Sequence, residues 1–585
     1  MPKPNHRPEK APESPTIRCL DPSCYVDNFA RDHLPPQEQW PMMSDEGLPD
    51  FSCPAKLNAA AELLDRMVEK GFGPRPCLHA ENETGSETWT YAKVLERANR
   101  LANLLTSRGL APGERVLLRD ANSPMMAACW FAVLKAGGIA VSTMPQLRAQ
   151  ELSGIIAKAQ IKYALCSDSL SEELYKAQQT APAFKTVVLY SHEEPAVATM
   201  LAGYSEHFET RETSHDDVAL IAFTSGTSGD PKATMHFHRD LLAVCDSFSK
   251  YILKPEPHDI FCGSPPLAFT FGLGGLLLFP MRVGASTLLL RRATAETLLA
   301  AIERHGCTIC FTAPTLYRAM LEHTGRYNLA SLKKCVSAGE RLPLETFEAW
   351  RNATGLRIID GIGSTELLHI FISAAGDEIR PGSTGRPVPG YEAKVVDEAG
   401  SEVPPDTVGR LAVRGPTGCR YFEAPDHQRK YVQNGWNMTG DAYRMDADGY
   451  FWYEGRTDDM IVSSGYKISA LEVEATLLSH PRVAECAVVG SPRADRGEIV
   501  KAFIVLKPDS ELPNLEAHTP EAPNTEVPNP EALRQELQEY VKAQIAPYKY
   551  PRAIEFVTDL PRTSTGKLQR SRLREKEHQK ASSHS

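Results

Sequence analysis

From about residue 57 to residue 380, short apolar runs alternate with amphipathic stretches, and this alternation constrains the fold more than any other feature of the sequence. The runs include "ERVLLR" (Glu114–Arg119), "YALCSD", "TVVLYS", "VALIAFTSG", "CTICFTAP", "LKKCVSAGE" and "LRIIDGIGSTE". Each is short, rich in branched and aromatic residues and bounded by turn formers, which predicts buried strands. Between them lie helical patterns. Asn122-Ser123-Pro124 is a helix start, and the apolar stretch that follows closes on a glycine pair at 137–138. Strands that alternate with helices pair in parallel and are covered by those helices. Ligands of such sheets bind at the carboxyl ends of the strands, where the glycine-rich turns of this chain fall.

After about residue 385 the pattern shifts to shorter strands and turns. Past Asp458 a compact segment begins, with Ser469 to Glu472 as a capping box opening the helix "LEVEATLLSH". Residues 508–530 are rich in Pro, Glu and Asn and bury too little apolar surface to fold, so a flexible insert is expected there. The next helix carries Leu533, Leu537, Val541 and Ile545 on one face. The expected fold class is α/β: a large N-terminal domain of helix-covered, mostly parallel sheets plus a β-rich subdomain, with a small α+β C-terminal domain hinged to it. The expected boundaries are a partly disordered extension (1–50), the large domain (51–457), the mobile small domain (458–578) and a tail (579–585).

Composition excludes some functions and assigns none. The chain has 585 residues, 42% hydrophobic, with a net charge of −10. An acidic balance argues against nucleic acid as a partner, which needs a basic face. Thirteen cysteines are scattered rather than clustered, which fits reduced thiols and a cytoplasmic setting. Cys307 and Cys310 have redox-motif spacing but lie in an apolar run and read as structural thiols. The proline-rich start lacks an apolar signal core, and "SSHS" is not a peroxisomal address. Leu267–Pro280 is too short to span a bilayer, so a buried element is expected and no membrane span. Self-association into a homodimer is left open.

The most informative stretch follows the strand ending at Phe223: Thr224, Ser225, Gly226, Thr227, Ser228, Gly229, then Asp230-Pro231-Lys232. Glycines admit backbone amides to an anion, hydroxyls donate further hydrogen bonds, and Lys232 adds charge. This is a polyphosphate loop, without the spacing of the P-loop NTPases.

That loop resembles the signature of the adenylate-forming superfamily, which holds acyl- and aryl-CoA synthetases, adenylation domains and beetle luciferases. The resemblance runs from about residue 57 to 575 with further motifs in order: "SAGERLP" (337–343), "DGIGSTE" (360–366), "TGD" (439–441), "GRTDDMIVSSGYKIS" (455–469) and "PRTSTGKLQR" (561–570). It implies that ATP and an acid form an acyl-AMP, from which coenzyme A then takes the acyl group. By the same resemblance, 224–232 holds the β- and γ-phosphates. Ala338, Gly339 and Glu340 lie on the adenine side, Asp360 and Gly361 are further nucleotide-binding residues, and Asp441 and Arg456 grip the ribose. Thr365 contacts the α-phosphate, Glu366 holds Mg²⁺, and Lys567 is the catalytic lysine. Asp458 is the hinge, and Ser464, Gly465 and Tyr466 form the face used for thioester formation.

The acid pocket is implied in the same way at Phe269, Thr270, Phe271, Gly363 and His369. "IDGIGSTELLHIFIS" (359–373) is similar to benzoate-CoA and 2-aminobenzoate-CoA ligases, so a small aromatic carboxylic acid is expected, 2-aminobenzoate or benzoate first. The chain departs from the family pattern at Ala233 (usually Gly), at Phe269 (often His), and at Thr270-Phe271, where benzoate ligases tend to carry Ala-Tyr. The alternatives are a medium-chain or other acyl-CoA synthetase, or a stand-alone enzyme loading a carrier protein. Asp168-Ser169-Leu170 imitates a carrier motif but lies mid-domain. His236 and His238 lack a third ligand at suitable spacing and read as structural.

Overall fold

The computed structural model describes residues 20–582 except 50, 83–84, 181–183, 225–231, 464–465, 494–496, 508–529, 546 and 563–567. The fold is mixed α/β with largely parallel sheets and a separate C-terminal domain. The chain divides into two compact units, the first comprising 1–394, 412–439 and 448–452, the second 395–411, 440–447 and 453–585.

Among the described residues two sheets lie wholly within the first unit. One has six strands in the order Thr186–Tyr190, Tyr163–Ser167, Arg115–Arg119, Ile139–Thr143, Val218–Thr224, Lys232–Phe237. All neighbours pair in parallel except the last two. The other has nine strands; Ile358–Gly363, Lys334–Ser337, Ile309–Thr312, Ile260–Gly263, Ser286–Leu289 and Pro76–Asn82 form its parallel centre, and antiparallel strands close both edges. The sequence runs thus become strands in the expected places.

Helix Pro124–Lys135 is buried on every side, as its lack of a polar face requires. Ser123 caps it by accepting from the Met126 amide, and Pro124 supplies the first turn. Arg119, buried at the end of its strand, donates to the carbonyls of Met144, Pro145, Leu147 and Leu170. Those bonds offset the desolvation of its charge and tie down loops at the carboxyl edge of the sheet. Cys307 and Cys310 are buried free thiols in the core around Trp350. The Leu267–Pro280 stretch forms short buried helical turns, and among the described residues no helix is long and apolar enough to cross a membrane.

In the second unit, Tyr466–Ser469, Met460–Ser463, Gly497–Leu506 and Val483–Arg493 make an antiparallel sheet, with Ala553–Phe556 added in parallel. Helices Ala470–Leu478 and Pro530–Gln544 bury Val473, Leu477, Leu533, Leu537 and Val541 against it. Ser469 caps the first helix at the Glu472 amide. The Glu472 carboxylate bonds Lys549 instead of closing a capping box, since an ammonium is the stronger partner for a carboxylate.

Candidate active site

In the first unit the expected site residues gather at the carboxyl ends of the strands. Thr224 pairs with Lys232 across the last two strands of the six-stranded sheet, which closes the base of the phosphate loop. Ser225, Gly226, Thr227, Ser228 and Gly229, with the side chain of Thr224, lie outside the described residues.

Thr365 and Glu366 occupy the turn after strand Ile358–Gly363. The turn is fixed from two sides. His236 Nε2 donates to the Thr365 carbonyl at 2.8 Å, and the Thr234 hydroxyl reaches the same oxygen at 3.3 Å. The Tyr421 hydroxyl donates to Glu366 Oε1 at 2.7 Å. His236 and His238 are both structural: His238 is buried, takes the Ala59 amide on Nδ1 and meets the Tyr25 hydroxyl on Nε2.

On the nine-stranded sheet Ser337 and Asp360 stand side by side in parallel register. Ala338 is buried, Gly339 has a positive φ, and Glu340 accepts a hydrogen bond from Thr315. Asp360 lines a cavity with Leu342, Phe347, Ile358, Ala374 and Ser383. Burial pushes its carboxyl up to about 7, against the opposing pull of Ser337, the Gly361 amide and Arg341. Among the described residues Asp360 Oδ1 is buried without a hydrogen-bond partner.

His369 sits three residues beyond Glu366 in a cage of rings. Its centroid lies 4.5 Å from Phe279, 5.6 Å from Phe248, 5.7 Å from Phe271 and 6.5 Å from Phe311. Neither ring nitrogen makes a hydrogen bond of normal geometry. Burial pushes its pKa down to about 3, so the imidazole is neutral at working pH. Two glycines keep side chains out of the cage: a Cβ on Gly274 would fall 2.3 Å from His369 Cδ2, and one on Gly363 2.8 Å from the His369 carbonyl. Phe269 caps the turn Thr270–Leu273, and Phe269, Thr270 and Phe271 are half-buried; of the three, Phe271 is a ring of the cage.

In the second unit Asp441 lies in strand Trp436–Met445, and Arg456 ends strand Phe451–Arg456. Arg456 Nη1 donates to Asp441 Oδ1 at 3.0 Å. Asp458 falls in the short turn Thr457–Asp459, with its side chain outside the described residues, as is the Tyr466 side chain. Ser464, Gly465 and Lys567 also lie outside them.

Three residues that hold the site were not identified from the sequence. Asn122, read only as part of a helix start, clamps the acid-side loop by donating to the Pro265 carbonyl (3.0 Å) and accepting the Leu267 amide (2.7 Å). Thr234 and Tyr421 touch Thr365 and Glu366 from more than fifty positions away, a separation at which only the fold connects them. Asp21, His215 and Asp216 form a cluster of metal-ligand composition, but Arg239 lies 3.1 Å from Asp216 and the imidazole faces both carboxylates, so its charges compensate internally.

A motif running from Thr224 to Lys232, an acidic turn held by strand Lys232–Phe237 and a cage of aromatic rings belong to the adenylate-forming ligases. The AMP-binding enzyme family matches residues 67–421, and the AMP-binding enzyme C-terminal domain matches 472–567. Benzoate–CoA ligase of Thauera aromatica is 34% identical over 533 residues, 90% of this chain and 97% of that protein. Human mitochondrial acyl-coenzyme A synthetase ACSM5 is 34% identical over 546 residues, 90% and 91% of the two chains. The crystal structure of the anthranilate CoA ligase AuaEII in complex with anthranoyl-AMP matches with a TM-score of 0.80 at 34% identity, covering 90% of this chain and 98% of that one. The chain belongs to the AMP-binding enzymes, and it is an acid–thiol ligase.

Proposed function

We propose that the protein is an ATP-dependent aryl-acid–CoA ligase, with 2-aminobenzoate or benzoate as its acid. The observation that carries this reading is the His369 cage: a neutral imidazole among phenyl rings, with glycines where side chains would intrude, suits a flat aromatic ring and offers no counter-ion to a second charge. The names of the benzoate and anthranilate ligases support it.

In the proposed reaction a carboxylate oxygen of the acid attacks the α-phosphorus of ATP, and pyrophosphate leaves. The CoA thiol then attacks the acyl carbon, and AMP leaves. Both steps need positioning and charge stabilisation more than covalent chemistry by the protein. Thr224–Lys232 is assigned to the β- and γ-phosphates, Thr365 and Lys567 to the α-phosphate, Asp441 and Arg456 to the ribose, and the unsatisfied Asp360 Oδ1 to an amino donor such as that of adenine. Ala338, Gly339, Glu340 and Gly361 are assigned to the base, Ser464, Gly465 and Tyr466 to CoA, and Asp458 to the hinge. Glu366 fits Mg²⁺, because its Oε2 takes no hydrogen bond among the described residues and hard cations prefer oxygen. When bound there, Mg²⁺ supplies charge neutralisation at the phosphates. Thr270 is assigned to an ortho amino group on the ring.

The test is ATP- and CoA-dependent AMP release across benzoate, 2-aminobenzoate, salicylate, cinnamate and medium-chain fatty acids. A preference for an aryl acid is expected. A preference for fatty acids, the direction the acyl-coenzyme A synthetase relative favours, would overturn the aryl assignment.

A further inference from the structure

Tyr421 is held more firmly than a ring in a connecting segment needs to be. Its backbone runs beside strand Lys232–Phe237: the Met235 amide donates to the Arg420 carbonyl and the Phe422 amide to the Ala233 carbonyl, both at 2.9 Å. Its own amide donates to Gln428 Oε1 at 2.8 Å, while Gln428 Nε2 ties back to Cys419 and Gln39 carbonyls. Next to it Arg420, fully buried, donates to Asp240 at 2.8 Å and to the Met235 carbonyl at 3.1 Å. The ring packs edge-on against Tyr431 at 5.6 Å. All this rigidity is spent on one polar contact, the hydroxyl on Glu366 Oε1.

We propose that Tyr421 is a positioning residue: its hydroxyl fixes the Glu366 carboxylate through Oε1 and so presents Oε2 to the divalent cation that accompanies ATP. This rests on the assignment of Glu366 to that cation. A carboxylate free to turn would spread its oxygens over several rotamers, and the ion would then have to order it. Partners that orient a metal ligand are worth roughly 10- to 100-fold in metal affinity. Strand Lys232–Phe237, beside which Tyr421 runs, also carries Thr234 and His236, which hold Thr365, so both supports of the acidic turn stand on one frame.

The test compares full-length wild type, Tyr421→Phe, Glu366→Gln and the double variant. Free Mn²⁺ is measured by electron paramagnetic resonance in the presence of ATP, and acid-dependent pyrophosphate exchange is followed against Mg²⁺ concentration. The expected result for Tyr421→Phe is Mn²⁺ binding weakened roughly 10- to 100-fold, exchange largely restored at high Mg²⁺, and an unchanged KM for the acid. In the Glu366→Gln background the same change adds less than about twofold, since coupled residues are not additive. If Glu366→Gln leaves Mn²⁺ binding intact, the assignment of Glu366 fails and takes the proposal with it. If Glu366→Gln weakens it and Tyr421→Phe does not, or the two losses add in full, the proposal alone is overturned. A Tyr421→Phe protein that melts early, or loses acid and metal affinity together, also overturns it, because the tyrosine then serves the fold.

Discussion

Glu366 and His369 are three residues apart on one turn, yet they are held by opposite means. Around Glu366 the polar groups meet partners: Tyr421 on the carboxylate, His236 and Thr234 on the Thr365 carbonyl. Around His369 the partners are rings, and among the described residues neither imidazole nitrogen makes a hydrogen bond of normal geometry. Hydrogen bonds fix direction, which suits the cation ligand proposed for Glu366. Packing fixes shape, which suits the acid pocket proposed around His369. Under that proposal the turn separates orientation from selection within a few residues.

The largest effect that would sharpen this contrast is at Glu366. Glu366→Gln keeps the size and loses the charge, and the rate of acyl-AMP formation is expected to fall roughly 10²- to 10³-fold, the scale for a lost electrostatic contact to a transition state. KM for the acid should hold, because the chamber is untouched. Pyrophosphate exchange reads both quantities, and a rise in acid KM with an intact rate would break the division of labour.

At the chamber the sign of the argument changes. Gly274→Ala drives a methyl into the His369 ring, and overpacking of this kind costs about 1–3 kcal/mol. Thermal unfolding should show the loss, and acid KM should rise while the Mg²⁺ dependence stays as in wild type. His369→Leu should do the reverse for stability. A buried polar group without partners costs about 1–3 kcal/mol, so an apolar residue of similar size should leave the melting temperature unchanged or raised. Its acid preference should shift all the same. A clear loss of stability would mean that the imidazole is satisfied after all, and the contrast with Glu366 would fall.

The contrast also explains what could be read from the sequence. The strands and helices of the parallel sheets follow from apolar runs and caps, because those signals are local: Ser123 caps the helix that Pro124 begins, and "LRIIDGIG" becomes strand Ile358–Gly363. The acidic turn, His369 and Phe271 were marked by motif, whereas the cage rings Phe248, Phe279 and Phe311 were not. Nor were the supports. Tyr421 reaches Glu366 across 55 positions, His236 reaches Thr365 across 129, and Asn122 reaches Leu267 across 145. No local pattern encodes such pairs. The capping box at Ser469 failed for a related reason: Lys549, 77 positions from Glu472, takes its carboxylate.

Asp360 tests whether the contrast has an intermediate. The residue is half-buried with its Oδ1 out of contact with solvent, and desolvation carries its pKa to about 7. An unfolded aspartate titrates near 3.9. The folded state therefore keeps its proton to higher pH than the unfolded state, and stability attributable to Asp360 is lost as pH rises from about 4 to about 7, then levels off. An amino donor placed against Oδ1 favours the ionised form, so ATP should bind more tightly as pH rises through 7. If only the ionised form binds well, KM for ATP should fall by roughly tenfold between pH 6 and pH 8, about one pKa unit's worth. Asp360→Asn should flatten both profiles, whereas Glu366→Gln should leave the pH dependence of ATP binding in place. An ATP profile that stays sloped in Asp360→Asn would assign the titration elsewhere and leave Asp360 with His369, as a group placed by packing alone.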